Sequence, residues 1–148
     1  MSIALACDLR IACESAFMTT GFARIGLSGD YGASFFLTQL IGTSRARELF
    51  FTGQRVPARQ CEAWGLVNRV VPDDQLHEET RSLARQLASG PTLALAQMKK
   101  NLDHALSADL PACLEQEAEG LIRTAKTSDH RDAVRAFVEK RPPRFSGQ

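Results

Sequence analysis

Apolar and polar positions form short blocks in the first half of the chain and long helical stripes in the second. Small apolar residues run through positions 1–6. The mixed runs 9–12 and 16–20, separated by Glu14-Ser15, predict two short strands joined by a turn. From Ala33 onward, Phe36, Leu37, Leu40 and Ile41 recur at helical spacing, and Gly42 is placed to end that helix at its C′ position. Ser44 is placed to cap a second helix reaching about Phe51. Pro57 opens a third, short helix in which Ala58, Cys61 and Trp64 share one face and which Gly65 ends. Positions 66–71 then read as a strand.

Beyond Pro72-Asp73-Asp74 the pattern changes to amphipathic helices over about 76–88, 91–106, 110–127 and 129–140. Leu83 and Leu87, then Leu93, Met98 and Leu102, are apolar stripes that need a partner surface. The expected organisation is therefore a mixed α/β core over 1–72 followed by a helical region over 73–148, with no internal repeat or low-complexity tract.

Composition narrows the function. With 148 residues, 44% apolar and 24% charged, the chain suits a globular domain. A net charge of +1 supplies no bulk field for nucleic acid or an anionic membrane, so neither is an expected partner. The apolar opening stops at Asp8 and Arg10, too soon for a membrane span or a signal core. Its abrupt start reads as the middle of an element, so an upstream portion is expected to be missing. Cys7, Cys13, Cys61 and Cys113 form no C-x-x-C pair and lie far from His77, His104 and His130. No metal site is expected, and reduced thiols point to a cytoplasmic location.

The densest chemistry sits in Gly26-Leu27-Ser28-Gly29-Asp30-Tyr31-Gly32, just ahead of the first long helix. A carboxylate in a glycine-lined loop at a helix start is held yet accessible, which suits an acid/base. Asp is also a preferred N-cap, so a capping role for Asp30 stays open.

The runs Ala6-Cys7-Asp8-Leu9-Arg10-Ile11-Ala12 and Phe22-Ala23-Arg24-Ile25-Gly26-Leu27 closely resemble the crotonase, or enoyl-CoA hydratase/isomerase, family. Ala63-Trp64-Gly65-Leu66-Val67-Asn68 and Phe137-Val138-Glu139-Lys140-Arg141 extend the likeness, in family order, to the end of the chain. The resemblance implies the C-terminal part of a crotonase-like spiral of ββα units, its N-terminal half absent, with a C-terminal helical region that trimerises. It also implies an acyl-CoA thioester as substrate, CoA being part of that substrate and no separate cofactor needed, and a homotrimer or dimer of trimers. Family members stabilise an enolate with two backbone N–H donors, both of which are expected upstream of Met1, so the isolated chain is expected to be weakly active or inactive.

Counting from Ala6-Cys7-Asp8, the two glutamates of family hydratases fall at Ser2 and Phe22, neither of which transfers a proton at neutral pH. Asp30 instead matches the aspartate of family isomerases and dehalogenases. By this resemblance Asp30 is the acid/base, and Phe22, Leu27, Gly29 and Tyr31 line the acyl pocket. Lys140 meets a CoA phosphate, with Phe137 near the adenine. The expected activity is isomerase-like proton transfer on an enoyl-CoA, within fatty-acid metabolism. The rival expectation is a non-catalytic assembly or binding subunit of the same fold.

Overall fold

The strands are short and pair across long sequence separations, while the helices follow local pattern closely. A computed structural model describes residues 1–148, which divide into two compact units, 1–81 and 82–148.

In the first unit, α1 (Ser2–Leu5) precedes β1 (Ile11–Cys13), β2 (Phe17–Met18) and one 3-10 turn (Phe22–Ile25). Then come α2 (Ala33–Thr52), β3 (Val56–Pro57), α3 (Ala58–Ala63) and β4 (Arg69–Val71). The turn expected at Glu14-Ser15 is present, closed by the Ala16 N–H donating to the Cys13 carbonyl at 3.1 Å. The strands on either side of it do not pair with each other. β1 runs parallel to β4, with Ile11 opposite Arg69 and Cys13 opposite Val71, whereas β2 runs antiparallel to β3. The Glu14 amide goes to the Val71 carbonyl and the Ser15 amide to Asp73 Oδ1, so the turn is tied to the chain after β4.

Leu37, Leu49, Leu66 and Cys61 are the largest fully buried side chains, joined by Leu5, Val56, Ala58, Val67 and Val70. Each buried leucine or valine among them contributes about 1.5–3 kcal/mol on burial. Ala58 and Cys61 are buried and Trp64 packs partly against them, as their common face predicts. Gly65, at φ 81°, ends α3, and the Leu66 amide returns to the Cys61 carbonyl at 2.8 Å.

The helix breaks at Gly42 as expected, but not in the left-handed cap conformation. The Gly42 φ of 76° with ψ of 166° is an extended, essentially glycine-only conformation, and it kinks α2. Further along α2, Thr20 Oγ1 donates to the Leu49 carbonyl at 2.7 Å and Thr19 Oγ1 to the Gly53 carbonyl at 2.9 Å.

The division between units falls within α4 (Leu76–Ala88). The second unit continues with α5 (Thr92–Ala105), α6 (Leu110–Ala125) and α7 (Ser128–Val138). Asp109 caps α6 by accepting from the Ala112 amide at 3.0 Å. α5 and α6 meet closely at Gly120, where a Cβ would lie 2.5 Å from Gln97 Cγ.

Thr127 caps α7, accepting from the His130 amide at 3.1 Å. Asp129 is instead turned toward the last residues of the chain, accepting from the Ser146 amide at 2.7 Å and the Gly147 amide at 3.1 Å. Asp132 accepts from the Arg141 guanidinium at 2.7 Å and from the Arg144 amide at 2.8 Å. Together these bonds fold residues 141–148 back along α7. No helix is long and apolar enough to cross a membrane.

Candidate active site

The loop before α2 is built from left-handed backbone. Gly29 has φ 124°, Tyr31 φ 44° and Gly32 φ 73°, so the chain doubles back sharply around Asp30. Gly32 is the N-cap residue of α2, which has no side-chain cap. Asp30 contributes its backbone carbonyl to that turn, accepting from the Ala33 amide at 2.9 Å. Its carboxylate is left for other use: Oδ1 accepts a hydrogen bond from Ser2 Oγ at 2.9 Å. The side-chain capping role that the sequence left open is therefore not what the fold adopts.

Ser2, Thr19, Thr20, Phe22, Asp30 and Tyr31 line a shallow hollow of about 290 Å³. Phe22 is half-buried and stacks on Phe50, centroids 5.9 Å apart with planes at 20°. Gly29 lies against this pair: a Cβ there would come within 3.1 Å of Phe50 Cε1. Tyr31 is largely exposed at the hollow, and Leu27 is exposed outside its lining.

Proton inventory limits the chemistry. Thr19 and Thr20 commit their hydroxyl hydrogens to backbone carbonyls, and Ser2 commits its own to Asp30. Asp30 is the one carboxylate of the hollow. A single carboxylate can take a proton from one carbon and return it to another, whereas adding water needs a paired base and acid. No group of His, Cys, Asp and Glu side chains suited to holding a metal ion gathers anywhere in the fold.

In the second unit, Phe137 is 86% exposed on the last turn of α7. Lys140 follows in left-handed backbone at φ 53°, and the Arg141 amide returns to the Ala136 carbonyl at 3.0 Å. Both predicted CoA contacts are thus accessible at one helix end.

Asp30 and its glycine loop are evident from local sequence. The Ser2 contact is not, because 28 residues separate donor from acceptor and nothing periodic links them. A hydroxyl at position 2, where the family resemblance implies a glutamate, was the available signal.

Residues 1–148 match the family model described as enoyl-CoA hydratase/isomerase. A protein named probable enoyl-CoA hydratase from Rhodobacter capsulatus is 37% identical over 99% of this chain and 57% of its own length. The 1,2-epoxyphenylacetyl-CoA isomerase of Escherichia coli K12 is 33% identical over 99% of this chain and 56% of its own. The crystal structure of enoyl-CoA hydratase from Bacillus anthracis superposes with a TM-score of 0.92 at 34% identity, covering 97% of this chain and 56% of that one. The chain thus spans a little over half the length of these relatives.

Proposed function

Because the chain belongs to the enoyl-CoA hydratase/isomerase family and has the partial crotonase fold, we propose that it acts on an enoyl-CoA thioester by isomerase-type proton transfer, with Asp30 as acid/base. The observation that carries this reading is that Asp30 alone brings a carboxylate to the hollow, its side chain free of capping duty. Ser2 and Phe22, at the two positions where the family resemblance implies hydratase glutamates, carry no group that transfers a proton at neutral pH.

In the proposed step, Asp30 takes a proton from carbon beside the thioester. The C–H pair moves into the conjugated system and places negative charge on the thioester oxygen. Return of the proton from Asp30 to the far end of that system shifts the double bond. The half-buried Phe22 ring and the Tyr31 ring give the hollow apolar walls suited to an acyl chain, with Gly29 against the Phe22–Phe50 pair and Leu27 exposed outside the lining. Lys140 supplies a point charge for a CoA phosphate and Phe137 a flat surface for the adenine, a role supported by their exposure. Four free thiols suit a cytoplasmic setting.

The test is hydrogen isotope exchange next to the thioester of an acyl-CoA, in a chimera that supplies from a relative the part of the family length this chain does not span. Asp30→Asn is expected to slow it by about 10²–10⁴-fold, the usual worth of an acid/base. Unchanged exchange would remove Asp30 from the chemistry. A second reading, a non-catalytic assembly subunit, is favoured by the exposed apolar positions of α5 and α6, among them Leu102, Leu110, Leu121 and Ile122. Acyl-CoA binding with no exchange even in the chimera would select it.

A further inference from the structure

Ser2 is 7% exposed, and its hydroxyl donates to Asp30 Oδ1 at 2.9 Å. It stands on α1, whose Leu5 belongs to the core, so the donor comes from a packed element and the acceptor from the left-handed loop. We infer that Ser2 is the positioning residue of Asp30: it anchors Oδ1 and leaves Oδ2 as the oxygen that takes and returns the proton.

The argument is one of valence. A serine hydroxyl has one hydrogen, and in this bond that hydrogen lies on Asp30 Oδ1. Oδ1 keeps a second lone pair, but a proton bound there would make it a poorer acceptor and weaken the Ser2 bond. A proton arriving at Oδ2 leaves the Ser2 bond standing in both protonation states. Thr19 and Thr20, the other aliphatic hydroxyls of the hollow, have given their hydrogens to the Gly53 and Leu49 carbonyls, and the remaining hydroxyl is the exposed Tyr31 phenol. A hydroxyl at position 2 thus aims a proton carrier without being one.

This inference rests on the reading of Asp30 as acid/base, so its test has two independent readouts, applied to Ser2→Ala, Ser2→Thr and Asp30→Asn. Three-bond couplings of the Asp30 side chain report its rotamer without any turnover. The parent and Ser2→Thr are expected to show one rotamer and Ser2→Ala an average of several. In isotope exchange, measured in the same chimera, Ser2→Ala is expected to lose about tenfold in kcat with KM within about twofold, and Ser2→Thr to restore it. One Asp30 rotamer in Ser2→Ala, or an unchanged kcat while Asp30→Asn is inactive, overturns the positioning role and leaves the acid/base reading standing. Exchange that survives Asp30→Asn overturns the acid/base reading and this inference with it.

Discussion

Asp132 accepts from the guanidinium of Arg141 and the amide of Arg144, and these bonds pull its carboxyl down to about 2. A free aspartate titrates near 3.9, so between about pH 4 and pH 2 the unfolded chain binds the extra proton more readily than the folded one. The stabilisation is fully present above that window and is lost as pH falls through it. Asp129, hydrogen-bonded to the Ser146 and Gly147 amides, and Asp73, bonded to Ser15, are lowered in the same direction. Urea melts are expected to show stability dropping on the acid side of pH 4, and Asp132→Asn to flatten that drop in part, since the other two carboxylates remain. A second prediction at this scale concerns Lys140: Lys140→Ala should weaken CoA binding several-fold with the weakening smaller at high salt, as calorimetry at two ionic strengths would show. The Asp30 loop is readable from sequence because glycine spacing is local. The work of Asp129 is not, because Thr127, Ser128 and Asp129 are three capping types in a row and sequence does not say which side chain turns back onto the helix.

The helices are legible for the same reason that the strand pairing is not. α3 shows its buried face in Ala58, Cys61 and Trp64 and its end in Gly65, all within eight residues of sequence. β1 and β4 meet with Ile11 against Arg69, a parallel pairing that no local pattern records. Two strands either side of a turn invite a hairpin, and only the distant Val71 carbonyl and Asp73 carboxylate explain why none forms. The kink in α2 carries the third prediction. A Cβ at Gly42 meets nothing within 4 Å, so Gly42→Ala tests backbone strain alone and is expected to cost about 1–3 kcal/mol in chemical denaturation. Leu49→Ala, from the fully buried centre beyond that kink, is expected to cost about 2–5 kcal/mol by the same measurement.

At the scale of the whole molecule, residues of α5 and α6 bring a set of large side chains to the surface, with Leu102, Leu110 and Leu121 each about 70% exposed. Apolar surface of that kind is normally covered, and a second and third copy of the chain is the cover proposed here. Light scattering is expected to give the mass of a trimer or hexamer, with Leu110→Glu and Leu121→Glu together lowering it; a monomeric parent would defeat the proposal. The fold class is legible from motifs in family order, while assembly is not, because the same leucines would read identically if another segment of one chain covered them. The bonds that fold residues 141–148 back along α7 have a consequence of another kind. Three amides in a stretch with neither helix nor ladder, those of Arg144, Ser146 and Gly147, each point at a carboxylate. In deuterated buffer these hydrogens should therefore linger as strand hydrogens do, and acid that protonates the two aspartates should release them before the helices themselves give way.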